Sequence, residues 1–364
     1  MMKVAAVMTA STLALAACGS STSKESSTTS ASGGSSASAS SSETTSASAP
    51  AASDVKVGMA FDVGGRGDQS FNDAAAAGLD KAKAEFGMET KEATAVNDEN
   101  DAAREERLNQ LIDAGYTHII AVGFAYAPAV GNVAKENPDV HFAIIDDASE
   151  DSEGANVAQL TFAEYEGSYL VGAAAALKSK TNHIGFVGGV NVGLINKFEA
   201  GYIAGAKAVN KDIKIDSTYL TQPPDYSGFG DPAKGKTAAE GMFQGGADVV
   251  YHAAGGSGGG VFTAAKAANA WAIGVDSDQA LTAEQGVRDV ILTSMLKKVD
   301  VAVYDYLKKA VGGEEAAGNI IYDLKAGGVG YSTTGGHVDD IKAKLDDYSA
   351  KFISGEITVP DAFK

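Results

Sequence analysis

From Asp54 onward, short β-rich apolar runs alternate with stretches whose apolar residues recur at helical spacing. The runs are Val55–Phe61, His118–Val122, His141–Asp146, Val157–Phe162, His183–Val187, Val249–His252 and Ala272–Val275, and a further apolar run covers Val290–Leu296. Between them, Phe71, Ala75, Leu79, Ala82 and Phe86 share one helical face that stops at Gly87; Ala102–Ala114 and Tyr165–Leu177 repeat the pattern. A strand apolar at consecutive positions is buried on both faces, and strands separated by helices pair in parallel. Parallel sheets covered by helices are therefore expected. The strands are too many for one small sheet, so two doubly wound, Rossmann-like α/β lobes are predicted, with a single large barrel as the alternative that periodicity leaves open. The roughly 310 residues from Asp54 suffice for two separate cores.

The amino terminus reads differently. Lys3 precedes an apolar and small-residue stretch, Val4 to Ala17, that is too short to span a bilayer and ends Leu15-Ala16-Ala17-Cys18-Gly19. That pattern resembles a bacterial lipobox, which implies removal of residues 1–17 and acylation of Cys18. An ordinary secretory signal with an incidental cysteine is the plainer alternative. Cys18 is the only cysteine, so the chain forms no internal disulfide. From Gly19 to about Ser53 the composition turns to Ser, Thr, Ala and Gly. Such a segment has too little apolar surface to offset its ordering entropy, and a tether over 18–53 is expected. The reading is a membrane anchor through lipid.

The net charge of −18 argues against nucleic acid, whose phosphates would be repelled. The five histidines stand singly in the sequence, with no HExxH or paired spacing, and no G-K-[ST] follows a glycine cluster. No metal, no cofactor and no nucleotide hydrolysis are expected of this chain.

Parallel α/β sheets bind ligands beyond the carboxyl ends of their strands. After Phe61 comes Asp62-Val-Gly-Gly-Arg-Gly-Asp-Gln-Ser-Phe71-Asn72; after Ile145 come Asp146 and Asp147; beyond the His183 strand stand Asn196, Lys197 and Phe198. The Val249 strand runs into Gly255-Gly256-Ser257, the Ala272 strand into Asp276-Ser277-Asp278, and Val290–Leu296 into Lys297 and Lys298. Carboxylates, amides, a lysine and aromatics at one end of the fold suit a polyhydroxylated ligand with a flat ring.

The segments DVGGRGDQSFN (Asp62–Asn72), EGSYLVG (Glu166–Gly172), FEAGY (Phe198–Tyr202), DPAKGK (Asp231–Lys236), VYHAAGGSGGGVF (Val250–Phe262), WAIGVDSDQ (Trp271–Gln279) and TSMLKKVD (Thr293–Asp300) run in order through the globular part. Together they resemble the basic membrane protein family, lipoproteins related to the purine nucleoside receptor of spirochaetes. The resemblance implies a type I periplasmic-binding-protein fold and the substrate-binding role in an ABC importer, with purine nucleosides as ligands and a permease and separate ATPase subunits as partners. It implies that Asp62 and Asn72 meet the base edge, that Phe71 stacks on the base, and that Asp146, Asp276 and Lys297 take the ribose hydroxyls. Gly255 and Gly256 would admit backbone amides to the ligand, and Phe229 or Phe198 would supply the second ring. The plainer roles are helix capping for Asn72, core packing for Phe71, loop capping for both aspartates, and a solvated surface for Lys297, with Lys298 in its place. Ser70 stands where a helix N-cap would.

The type I fold crosses between lobes three times, placed here near Phe162–Glu166, Asp278–Thr282 and Asn319–Tyr322. Lobe 1 would then comprise 54–163 plus 281–319, including the Val290 region, and lobe 2 would comprise 164–280 plus 320–364. A monomer is expected. Two alternatives remain: the same fold binding a sugar or a flavin, and a hydrolase built on Gly255-Gly256-Ser257-Gly258-Gly259, which fits the G-x-S-x-G elbow with a later Asp276 and His337.

Overall fold

The structure, a computed structural model, describes residues 53–358. The expected signal segment, Cys18 and nearly all of the expected tether lie outside the described residues.

In chain order the elements are β1 (Lys56–Phe61), α1 (Phe71–Phe86), β2 (Glu89–Thr94), α2 (Asp101–Asp113), β3 (His118–Val122), α3 (Ala127–Glu136), β4 (His141–Ile145), β5 (Val157–Phe162), α4 (Glu164–Lys178), β6 (His183–Val190) and α5 (Gly193–Val209). There follow β7 (Lys214–Thr221), α6 (Pro232–Gln244), β8 (Val249–Ala253), α7 (Gly258–Ala268), β9 (Trp271–Asp276), α8 (Gln279–Thr282), β10 (Ile291–Lys297), α9 (Val299–Val311), β11 (Gly318–Tyr322), β12 (Val329–Tyr331) and α10 (Lys342–Ser354). They form two six-stranded sheets, ordered β11-β5-β4-β3-β1-β2 and β12-β10-β9-β8-β6-β7. Every strand pair is parallel except β10 with β12. The two doubly wound lobes expected from the alternation are present.

The apolar runs occupy the sheet centres: β3 and β8 are buried at every position, as is β6. Each fully buried Val, Ile, Leu or Phe stabilises the fold by about 1.5–3 kcal/mol relative to exposure, so these strands carry the cores. Helix α4 is apolar on nearly every face because it is enclosed: its residues from Gly167 to Ala176 are all buried. On one side it meets α5 at backbone contact. A methyl group on Gly205 would come within 1.9 Å of the Tyr169 carbonyl oxygen, and one on Gly172 within 2.1 Å of the Tyr202 carbonyl oxygen. Glycine is what lets these helices pack so closely; a side chain at either position would force them apart.

The division into lobes differs from expectation in two respects, at the second crossing and at residues 320–322, which belong to the first lobe. The Val290 region belongs to the second lobe, because β10 pairs in parallel with β9, with Thr293 opposite Ile273 and Met295 opposite Val275. A buried apolar run has the same appearance whichever sheet it joins; only the pairing decides. The second crossing therefore follows Lys297 rather than lying at Asp278–Thr282. Helix α9 then packs on α1 in the first lobe, where Gly78 lies against the Asp300 carbonyl. Strand β11 lies wholly in the first sheet beside β5, and the chain returns to the second sheet only after Tyr322. The first crossing falls at Ala163, between β5 and α4.

Candidate functional site

The carboxyl ends of both sheets enclose a cleft of about 560 Å³, its open mouth included. Its wall contains Asp62, Phe71, Asn72, Asp146, Phe198, Phe229, Gly255, Asp276 and Lys297, all anticipated from the sequence, together with Asp68, Phe124 and Leu194. Gly256 is not part of the wall; it packs near the Phe229 carbonyl and Asp68 instead.

Asp62 is the first residue beyond β1. Its Oδ1 accepts from the Val63 amide at 2.8 Å, and its own amide donates to Asn72 Oδ1 at 3.1 Å. Burial pushes its carboxyl up to about 6, although the Val63 amide and the Arg104 guanidinium favour the charged form. Gly123, just past β3, leaves it room: φ there is +106°, and a Cβ would sit 2.8 Å from Asp62 Oδ2.

The amino end of α1 is capped by Asp68, not by Ser70. Asp68 accepts from the amides of Ser70 (2.9 Å), Asn72 (2.8 Å) and Asp73 (3.0 Å), and from Asn72 Nδ2 at 3.1 Å. Burial holds its carboxyl near 6 as well. Asn72 thus joins Asp62 to Asp68. Ser70 Oγ is released from capping and donates across the cleft to Asp276 Oδ2 at 2.6 Å. Ser277 Oγ donates to the Ser70 carbonyl at 3.0 Å, and Gln279 Nε2 and Thr282 Oγ1 both donate to the Gln69 carbonyl, at 3.0 and 3.2 Å. These bonds join the two lobes.

The charged centre is Lys297, the last residue of β10 and only 2 % exposed. Its Nζ donates to Asp146 Oδ2 at 2.5 Å and lies 3.7 Å from Asp276 Oδ1. The same nitrogen stands 4.6 Å from the centre of the Phe71 ring and 5.4 Å from those of Phe162 and Phe198. Although burial opposes its charge, the surrounding carboxylates of Asp146, Asp276 and Glu164 raise its affinity for a proton. Lys298 instead opens α9. Asp146, just past β4, and Asp276, the last residue of β9, both have positive φ, +69° and +61°, an uncommon conformation that non-glycine residues keep only where the surroundings enforce it. Burial raises the Asp146 carboxyl against the pull of Lys297, and Asp146 Oδ1 has no partner among the described residues.

Sequence reasoning missed three residues here. Glu164 begins α4 and is fully buried; desolvation lifts its carboxyl to about 7, and its Oε2 lacks a partner among the described residues. In the sequence it passes for an ordinary acidic residue in a first helical turn. Phe124 follows β3 and had the same strand-end signal as its neighbours. Asp68 lies inside the Asp62–Asn72 segment without a distinguishing mark. Phe229 reaches the cleft because Asp231-Pro232 starts α6, Asp231 accepting from the Lys234 amide at 3.0 Å, and its ring lies over Gly189 at the end of β6.

Ser257 does not have the setting of a nucleophile. Its hydroxyl is buried, donates to the Gly228 carbonyl at 2.7 Å and accepts from the Asp231 amide at 2.8 Å, while His337 packs on Trp271, ring centres 4.7 Å apart. The histidines are not all single either: His118 and His141 stand together with Glu315, which corrects the expectation of scattered residues.

Two parallel-sheet lobes linked by three crossings, closing on a cleft walled from both, define a solute-binding protein. The chain belongs to the Bmp family, described as ABC transporter substrate-binding protein PnrA-like, whose family model matches residues 55–362. It is 38% identical over 327 residues to the CD4+ T-cell-stimulating antigen of Listeria monocytogenes, covering 85% of this chain and 89% of that protein. It is 37% identical over 332 residues to the ABC transporter nucleoside-binding protein BmpA of Lactococcus lactis, covering 86% and 91%. Among solved structures, an ABC transporter solute-binding protein from Aeropyrum pernix K1 matches with a TM-score of 0.73 at 32% identity, over 84% of this chain and 94% of that one. Membership implies a small ligand and the permease and ATPase of an ABC transporter as partners, and proteins of this type act outside the cytoplasm. No helix among the described residues is long and apolar enough to cross a membrane.

Proposed function

We propose that the chain captures a purine nucleoside between its lobes and delivers it to a membrane permease. The observation that carries this reading is the Lys297 cluster: one buried cation between Asp146 and Asp276, with Phe71 and Phe198 beside it. Sugar hydroxyls donate to carboxylates, and Asp146 Oδ1 is available to accept one. The ammonium of Lys297 has three donors and can turn one to a sugar oxygen. Phenyl faces suit a planar base, with Phe71 on one side and Phe229 or Phe198 on the other. Asp62, with a carboxyl near 6, is ionised for the most part at neutral pH and accepts from a base N–H, which favours oxopurines. The name of the Lactococcus lactis relative supports the ligand class.

In this mechanism the open and closed forms exchange, and the ligand stabilises the closed form by touching groups of both lobes. The bonds from Ser277, Gln279 and Thr282 to the Gln69–Ser70 carbonyls hold the closed form. Acylation of Cys18 would fix the protein to the outer face of the cell membrane, with the Ser/Thr-rich segment as a tether; a Cys18→Ser variant released into the medium supports that anchor, and one retained on membranes excludes it.

The test is calorimetric titration of the full chain, unfolded and refolded to strip carried-over ligand, against guanosine, inosine, adenosine, cytidine and ribose. Sub-micromolar binding of a purine nucleoside with ribose silent establishes the reading. Silence across the panel from a folded protein removes the nucleoside and moves the search to sugars and flavins; adenosine bound more tightly than guanosine removes the preference assigned to Asp62.

A further inference from the structure

At the amino ends of the central strands of the first sheet, opposite the cleft, the parallel pairing of β3 with β4 sets His118 directly opposite His141. Their rings stack with centres 5.1 Å apart. The segment between α9 and β11 brings Glu315 over the pair, with its Oε2 3.5 Å from His118 Nε2 and 3.2 Å from His141 Nδ1. One ligand atom from each of the three residues lies within 4.8 Å of the others.

The His118 ring is only 6 % exposed, and its Nε2, 3.5 Å from Glu315 Oε2, makes no hydrogen bond among the described residues. The other ring nitrogen explains why that matters. Nδ1 lies 3.1 Å from Thr117 Oγ1, and that hydroxyl donates to the Lys56 carbonyl at 3.4 Å, so it accepts from Nδ1–H. In the tautomer with its hydrogen on Nδ1, the Nε2 lone pair faces Glu315 and His141. A ring oriented by a donor bond on one nitrogen, with the other nitrogen bare and buried, is how metal-ligating histidines are held. The two separations to Glu315 agree: metal–ligand bonds of about 2.0–2.1 Å at a tetrahedral centre put ligand atoms about 3.3 Å apart.

We propose that His118 Nε2, His141 Nδ1 and a carboxylate oxygen of Glu315 bind a divalent transition-metal ion, zinc by preference. Two imidazoles exclude calcium and magnesium, which take oxygen ligands. The N₂O donor set is one that zinc takes readily, and zinc is the ion with which the site is tested. Water completes the coordination from the side where the side chains of His141 and Glu315 are 28 % and 42 % exposed. The ion ties the segment entering β11 to the starts of β3 and β4. It is a structural clamp, independent of the ligand cleft.

The experiment titrates zinc into the metal-stripped, tag-free full chain in competition with a chromophoric chelator, and follows thermal unfolding with and without the ion. His141→Ala and Glu315→Gln are the variants, because both positions are partly exposed and tolerate change; buried His118 is left intact. One zinc per chain, a raised Tm, and affinity at least about tenfold weaker in each variant with loss of the Tm rise support the clamp. Cobalt in place of zinc should give the intense visible bands of a tetrahedral site. Failure to bind stoichiometric zinc at micromolar metal, or binding and Tm rise unchanged in both variants, overturns it.

Discussion

Lys297→Met tests the charged centre most directly. Methionine fills comparable space without the charge, so the change isolates electrostatics. It leaves the carboxylates of Asp146 and Asp276 buried near one another without their shared cation. Removing one partner of a buried ion pair costs about 3–5 kcal/mol, a large part of a domain's stability. Part of that cost returns by protonation. Burial already holds the Asp146 carboxyl above its ordinary value, and Lys297 is the chief influence pulling it down; without the lysine it rises further. A folded-state value above the unfolded one gives stability that is present at low pH and lost as pH rises between the two, at about 1.4 kcal/mol per pH unit for each proton held. The deficit of the variant relative to the wild type should therefore be largest near pH 8 and shrink steadily toward about pH 5. Urea unfolding of both proteins, ligand-free, at several pH values measures it. A deficit that does not change with pH, or one below about 1 kcal/mol, refutes the account of Lys297 as the counter-charge of two buried carboxylates.

Other outcomes follow from the same geometry. The Asp62 carboxyl, lifted by burial from an ordinary 3.8 to about 6, costs about 3 kcal/mol when ionised at neutral pH. Asp62→Asn should raise stability by about 1–2 kcal/mol near pH 7.5 with a gain that vanishes near pH 4, while weakening nucleoside binding in calorimetry. Gly123→Ala places a methyl group against Asp62 Oδ2 at a residue with φ of +106°; a loss of about 1–3 kcal/mol in thermal unfolding and binding weakened at least tenfold are expected. Ser277→Ala removes one bond between the lobes, about 1 kcal/mol, so affinity should fall about fivefold with Tm of the ligand-free protein nearly constant; small-angle scattering should show more of the open form.

The sequence revealed the fold where burial makes a strand apolar, and it failed where strands lie at sheet edges. Strands β2 and β7, each at the end of its sheet, show mostly exposed or half-buried residues, so they carry no apolar run. Residues of the cleft wall were readable wherever strand-end position and motif agreed, as for Asp62, Asp146, Asp276 and Lys297. Glu164 was not, because only its enclosure distinguishes it from any acidic residue starting a helix. Ser70 misled for the opposite reason: it occupies the N-cap position, yet Asp68 takes the amides and leaves the serine for the other lobe. The pairing of His118 and His141 was available in principle, since each opens one of two consecutive strands. Parallel register turns that shared position into contact.

The interleaving of the chain also governs the order in which the molecule can be finished. The strand that closes the first sheet beside β5 is β11, and the strand that closes the second beside β10 is β12. Each comes on its lobe's second pass, after the other strands of both sheets have been laid down. A polypeptide emerging amino end first thus presents two sheets with open edges until Val329–Tyr331 arrives, and neither lobe is a unit that can be cut out at a single junction. For such a protein, losing the segment from Gly318 onward withdraws the last strand of both lobes at once.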